Sequence, residues 1–574
     1  MIIRIKIKIT AIILFSLISA IYYKLPATQI SDSYYSMLLA ESVIKNQEID
    51  LEKYINLKEK KENLDFFYQI EHKNNKSYYY FPHGSSYLSI PFVYVLNKIG
   101  FNTIQKNKYL AEEEIKIQRI LSAGITAGTV TIIYLIFTVF LSNRLSLCLT
   151  FIFAFSTPLV SSLSRGLWSH TWLALLLITS ILIVLRNIKN DTQPNPYILA
   201  TLASWMYFVR PTSSISIIAI SILCLIYYKN ILFKYLATGF IWLLIFVVYS
   251  YYNFETFLPS YYSASRLSSE HLPTAIIGNL LSPSRGLLVY SCFLIPILYL
   301  YIKNKKHYKY WFFSLLAFIV MISHLLVISS FPHWWGGHSY GPRFMSDITP
   351  WVVAISAITF YEAKYIKKTT IAILILTSII SLFINSWGAY NPESINWNKI
   401  PNNIDSDPKR LWDWKYPPFL TGIRQPPVIN KLPTIENKKI NIPFNNNKAD
   451  AFIIDGWSHG ESDFRWTVGN ISRFGFNLEK IHPILISIKF KPFIELSKNK
   501  QKITFYINDN FLDEYRLKSP DIQHITLNVS KEYLVKRNII TIESLDAVSP
   551  KSLNVSEDER ILGIAIYHVD IEKL

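Results

Sequence analysis

The sequence predicts a polytopic α-helical membrane protein of about eleven spans, with an extracytoplasmic β-sandwich at its C-terminal end. Three observations carry this expectation. In a chain of 574 residues, 51% of them hydrophobic, the apolar residues gather into runs of bilayer-crossing length. The short loops between those runs differ in their basic residues from one side to the other. Beyond residue 390 the runs give way to short period-two stretches separated by turn residues.

The first run, 7–25, follows Arg4, Lys6 and Lys8, and no small-residue cleavage site precedes Asp32, so it reads as a retained signal anchor. Further spans are expected at 117–141, 145–163, 167–186, 196–209, 212–228, 232–252, 286–302, 310–329, 347–362 and 369–388. Segment 84–99, GSSYLSIPFVYVLNKI, suits either a crossing or a helix lying in the interface. Loop charge decides between them. If it does not cross, the short loops on the N-terminal side carry ten Lys and two Arg, and the opposite short loops five Arg and no Lys. That is the asymmetry of cytoplasmic and external faces, and a crossing at 84–99 would invert it. The expected domains are therefore a transmembrane domain over 1–390, whose long first external loop is 26–116, a linker over 391–445 and a β-sandwich over 446–574.

The net charge of +18, from 58 Lys plus Arg against 40 Asp plus Glu, is accounted for largely by cytoplasmic lysines, so no nucleic-acid partner is expected. Cys148, Cys224 and Cys292 each sit in an apolar run, which excludes a disulfide framework and a thiolate metal site. After residue 390 come ILISIKFKPFI, ITFYINDNFLDEYRL, HITLNV, NIITIES and ILGIAIYHVDI, the alternation of an antiparallel sandwich.

This topology gathers the polar motifs on one face. Asp32 lies a few residues beyond the first span, where a shielded carboxylate can serve as a base; the bland alternative is a cap for a helix starting at Ser33. Glu41, Glu48 and Asp50 read as solvated loop charges. The external loops use only Arg, whose planar fork matches a phosphate better than Lys does. Arg285 and Arg343 are the candidates for that role, with His83, His338 and Tyr340 as further donors. Trp168, His170, Arg210, Trp334 and Trp335 are candidate substrate contacts. HWWGGHSYGPRF, at 333–344, joins glycines that permit close backbone approach to indoles that stack on a sugar or an isoprenoid; an aromatic belt with a glycine turn is the plainer reading. No metal site is assigned. The external histidines leave a divalent ion open, but no carboxylate or Cys joins them at ligand spacing.

Asp32 after the first span, FPHG before an amphipathic helix, Arg119-x-x-Ser122, GLWSHTW, VRPTS, NLLSPSRGL and SYGPRF occur in that order. Together they resemble the membrane-embedded GT-C glycosyltransferases, nearest the bacterial branch related to protein mannosyltransferases and aminoarabinose transferases. The resemblance covers roughly residues 1–390. It implies a polyprenyl-phosphate sugar donor, an extracytoplasmic acceptor (glycan, lipid or protein), contact with membrane lipids, and Asp32 as base in an inverting transfer. Many members pair two acids at this motif, whereas Ser31 and Ser33 flank Asp32. DGWSHGESDFRWT, at 455–467, resembles carbohydrate-associated sandwiches and offers Trp457, Glu461 and Trp466 as contacts, with sandwich core as the competing role. The abundance of Lys, Asn and Ile fits an AT-rich genome, and the expected location is a bacterial inner membrane with the N-terminus cytoplasmic and the C-terminal domain outside. The alternatives are a transporter or flippase for a lipid-linked saccharide, a ligase or polymerase using a diphosphate-linked donor, and a non-catalytic sugar-binding protein.

Overall fold

The computed structural model describes residues 2–54, 68–73, 76–268, 270–304, 310–363, 365–399, 403–405, 407–424, 432–445, 448–458, 460–494, 501–508, 510–553, 555–556, 558 and 560–574. They form two compact units, one ending at 424 and the other starting at 432. The span expected as linker is therefore divided, and 391–424 belongs with the helices.

In the first unit, seven helices are long and apolar enough to cross a membrane: Ile5–Lys24, Ala111–Phe140, Ser169–Asn190, Lys229–Phe254, Trp311–Ser329, Phe344–Glu362 and Lys368–Tyr390. They fit a multi-pass membrane protein. The other four expected runs fall on shorter helices, Asn143–Phe155, Pro196–Val209, Pro211–Tyr227 and Leu294–Asn304. The breaks have local causes. Pro158 ends the first of these, after which the chain continues as the π-helical turn Leu159–Leu163, and Arg210-Pro211 separates the next two. Helix Lys229–Phe254 leaves Phe233, Phe240, Ile241, Leu244, Val248 and Tyr252 exposed, which suits a surface in contact with lipid. Gly84–Lys98 is a 15-residue helix interrupted by Pro91.

The first helix, Ile2–Lys24, ends against two arginines. Arg119 donates to the Tyr23 and Leu25 carbonyls at 2.9 and 3.1 Å. Arg165, 2% exposed, donates to Leu25 at 2.8 Å, to Ala27 at 3.4 Å and to Tyr22. Cations at carbonyls left open by a helix C-terminus satisfy both the hydrogen bonds and the dipole. Next, the Gln29 amide donates to the Arg165 carbonyl, and its side chain bridges the Ser161 carbonyl to the Tyr340 amide. The chain thus reaches Asp32 already fixed.

Beyond Asp32 the helix Ser36–Asn46 begins after Tyr35, whose φ of 71° is left-handed. Asp32 is not its cap. Glu114 from helix Ala111–Phe140 takes that place, accepting from the Tyr35 and Met37 amides at 3.0 and 2.9 Å and from Tyr109 at 2.6 Å. Glu41 corrects another expectation: it is fully buried, not solvated, and accepts from Thr103 Oγ1 at 2.7 Å and from Lys45 at 2.6 Å. Partners at hydrogen-bond distance make its burial tolerable.

The second unit packs two sheets over one apolar core that includes Phe474, Ile486, Phe505, Ile542 and Ile566. One sheet runs Gln523–Val529, Ile484–Pro492, Leu562–Lys573, Lys439–Pro443, with Arg465–Val468 also paired to Leu562–Lys573. The other runs Asn510–Leu517, Gln501–Ile507, Arg537–Glu543, Ile471–Leu478, Thr434–Ile435, with Ile453–Asp455 on Ile471–Leu478. All pairs are antiparallel except the short Thr434–Ile435 contact.

Candidate functional site

In the first unit, a cavity of about 720 Å³ is lined by Asp32, Tyr68, Trp168, His170, Arg210, Arg266, His338, Arg343, Lys399 and Asp405 among others. Asp32 Oδ2 pairs with Arg343 Nη1 at 2.8 Å, Oδ1 accepts from Tyr68 at 3.0 Å, and the Asp32 carbonyl accepts from Tyr79 at 2.6 Å. Burial raises the Tyr68 phenol well above its ordinary value, and the neighbouring Asp32 charge raises it further, so it stays a donor.

Arg343 is 5% exposed. Its Cζ lies 4.0 Å from the centre of the Trp168 ring, and Nη2 donates to the Gly336 carbonyl at 2.8 Å. Gly336 and Gly337 are both left-handed, which lets the loop turn its carbonyls inward. The buried Nε has no acceptor among the described residues. The hydrogen-bonding capacity of this guanidinium is therefore not fully used.

On another part of the wall, Asp347 accepts from His170 Nδ1 at 2.6 Å and from Arg210 Nε at 2.8 Å, and Arg210 Nη1 donates to Ser169 Oγ at 3.1 Å. The Phe344 ring lies between the two arginines, 5.6 Å from Arg210 Cζ and 5.2 Å from Arg343 Cζ. Asp405 comes from the span expected as linker. It accepts from Trp335 Nε1 at 2.8 Å and faces His338 Nε2 at 3.3 Å. Partial burial opposes its charge, but the hydrogen bonds from His338 and Trp335 outweigh that and hold its pKa below the usual carboxylate range.

The cavity thus brings together Asp32, Trp168, His170, Arg210, His338 and Arg343, but not the remaining expected residues. Arg285 is committed to carbonyls, with Nε on Trp335 at 2.7 Å and Nη2 on Gly337 at 3.1 Å and on Asn398 Oδ1 at 2.6 Å. It braces the glycine loop from behind and does not reach the cavity lining. His83 is equally engaged: Nε2 donates to the Tyr79 carbonyl at 2.7 Å and Nδ1 accepts from Tyr249 at 2.6 Å. Burial lowers its pKa to about 4, so it is neutral and makes a poor phosphate donor. Tyr340 is buried, donating to the Ile384 carbonyl at 2.6 Å. Trp334 covers Gly278, where a Cβ would lie 2.1 Å from the indole, and Trp335 orients Asp405.

In the second unit, Trp457 donates to the Arg473 carbonyl at 2.7 Å and packs on Phe444 at 4.9 Å, which makes it part of the core. Trp466 stands among Phe464 and Phe493, and Glu461 is exposed. Among the described residues no group of three or more His, Cys, Asp and Glu is placed to hold a metal ion.

A second, narrower cavity of about 180 Å³ adjoins the first, sharing Tyr79, Tyr80, Phe81 and Pro82. Its walls are Tyr87, Trp205, Phe208, Trp242, Phe246 and Tyr249, almost wholly aromatic. Sequence reasoning did not find this groove. It is built from three separate segments whose aromatic residues look, one at a time, like ordinary membrane-interface side chains.

No family model and no curated protein matches this chain. Solved structures with a partial likeness include the C-terminal CBM6 of LamC, a marine laminarinase from Zobellia galactanivorans, at 13% identity over 24% of this chain and 99% of that one, TM-score 0.16. Another is BtGH115A, a GH115 4-O-methyl-α-glucuronidase with specificity for decorated arabinogalactans, at 11% identity over 66% of this chain and 42% of that one, TM-score 0.16. At these TM-scores neither likeness bears on the fold or activity of this chain.

Proposed function

We propose that the protein is a membrane glycosyltransferase of the GT-C kind, moving a sugar from a polyprenyl-phosphate donor to an acceptor hydroxyl on the non-cytoplasmic side of a bacterial inner membrane. The observation that carries this reading is a carboxylate, Asp32, paired to Arg343 in a polar cavity that adjoins an aromatic groove. A prenyl chain suits the groove and a phosphosugar suits the cavity.

The ion pair has a mechanistic consequence. Both Asp32 oxygens are engaged, one by Arg343 and the other by Tyr68, so a proton can be accepted only once such a contact is released. Donor phosphate entering the cavity beside Arg343 competes for that guanidinium and leaves Asp32 free to accept a proton. The acceptor hydroxyl then attacks the anomeric carbon as its proton passes to Asp32, the bond from that carbon to the phosphate oxygen breaks, and the configuration inverts. The phosphate leaves as an anion and needs no strong general acid. Arg343 and Arg210 lie where they would stabilise its growing charge.

The test is transfer by the purified full-length protein from a polyprenyl-phosphate sugar, with Asp32→Asn as the decisive variant. The expected loss is about a hundredfold to ten-thousandfold in turnover, with donor binding retained. Full turnover in Asp32→Asn would refute the assignment of the base.

A further inference from the structure

The reaction as proposed leaves one buried group without a role. Asp347, 5% exposed, sits at the start of the helical stretch Phe344–Glu362, and both of its oxygens are engaged by side chains that line the cavity. Its bond to His170 fixes the tautomer: Nδ1 carries the shared proton, so in the neutral ring Nε2 is a lone pair. No hydrogen bond engages Nε2 among the described residues. Arg210 is held in the same way through Nε and Nη1, and no hydrogen bond engages its Nη2. Two nitrogens on neighbouring cavity-lining residues are thus left open by one carboxylate.

A lone pair facing a phosphate oxygen is repelled, whereas a protonated Nε2 would donate to it. Burial of the His170 ring and the charges around it set that balance. Asp347 favours the imidazolium, while Arg210 and the more distant Arg343 oppose it. His324 donates its Nε2 proton to the Phe344 carbonyl at 2.9 Å, and that nitrogen lies 3.9 Å from Asp347. An arriving phosphate adds the negative charge that tips the balance.

We propose that Asp347 is a positioning residue that sets His170 and Arg210 as a proton-linked phosphate clamp. When the lipid phosphate binds, His170 Nε2 takes one proton from solvent and donates it in a hydrogen bond to a phosphate oxygen beside Arg210. The proton returns to solvent when the phosphate leaves. This rests on the proposed function, because it assumes that a lipid phosphate enters this cavity.

The experiment is calorimetric titration of the purified full-length protein with farnesyl methyl phosphate, a prenyl phosphodiester with no titrating group near neutrality. It is run in buffers of different ionisation enthalpy between roughly pH 6 and pH 9. Near pH 6 the wild type should take up a proton on binding, the uptake should fade towards pH 9, and affinity should weaken with rising pH by up to about tenfold per unit where uptake is near one. His170→Gln should bind more weakly, with no uptake and a flat pH profile. Asp347→Asn should lose most of the uptake, and Asp347→Glu should recover part of it. Binding without uptake in the wild type, or uptake unchanged in His170→Gln, would overturn the clamp while leaving the transferase reading intact. Absence of binding to the wild type would overturn both. Should Asp347→Asn not fold, His170→Gln decides the matter alone.

Discussion

Five side chains show how far a residue's chemistry depends on what its neighbours leave unspent. Arg285 and Arg343 look equivalent in sequence, each an external arginine within two residues of a glycine. Carbonyls take up most of the first, whereas the second lines the cavity, pairs with Asp32 and keeps a buried Nε without an acceptor among the described residues. No spacing rule separates them, because the acceptors come from distant segments. Asp347 and Asp405 escaped notice for related reasons. One reads as an ordinary acid at a helix start and the other as part of an Asn- and Pro-rich linker, and only the packing of 391–424 with the helices places Asp405 on the cavity. His83 gives a direct prediction. Its pKa falls from 6.5 to about 4 on folding because the ring is buried. Between those values the unfolded chain binds the proton and the folded one does not, so stability declines as pH falls from about 6.5 towards 4 and then levels. Thermal unfolding of His83→Gln should lack that component, and an unchanged acid profile in the variant would contradict it.

At the scale of elements, what positions Asp32 is a set of contacts converging on the end of the first helix. Gly166 is the tightest of these. A Cβ there would lie 2.0 Å from the Gln29 carbonyl oxygen, a backbone atom with no freedom to rotate away. Gly166→Ala should displace the segment leading to Asp32, costing about 1–3 kcal/mol of stability and most of the turnover. Gly124→Ala, on the helix Ala111–Phe140 with nothing within 4 Å of its Cβ, should be neutral or slightly stabilising. Unfolding curves and transfer rates for the pair check this, and equal behaviour of the two would sink it. The helices themselves were largely legible, since every expected apolar run lies on helix. Lengths were less so: Pro158 interrupts the run at 145–163, and the run at 286–302 is divided between Leu287–Tyr290 and Leu294–Asn304. In the sandwich, Ile471–Leu478 was missed. Its inward Phe474, Phe476 and Leu478 alternate properly, but Ser472, Arg473 and Gly475 dilute the signal.

For the molecule as a whole, the reading stands or falls on which side of the membrane the cavity faces. Lysines crowd one set of short loops and only arginines appear in the other, and cavity residues Arg210, Arg266 and Arg343 all come from the lysine-free set. Selection for cytoplasmic retention explains the lysines, but it does not require arginine on the opposite face. The proposed recognition of a phosphate there favours it. The two ideas make one joint prediction. In a variant with Cys148, Cys224 and Cys292 replaced, a membrane-impermeant maleimide applied to intact cells should label Glu270→Cys, in the loop between Lys229–Phe254 and Leu294–Asn304. It should spare Lys229→Cys at the other end of the first of those helices. Both positions are exposed, so accessibility differs only through the bilayer. The reverse pattern would turn Asp32 towards the cytoplasm, where soluble nucleotide-sugars are the available donors. The aromatic groove would then need another occupant than the prenyl chain of a lipid-linked donor.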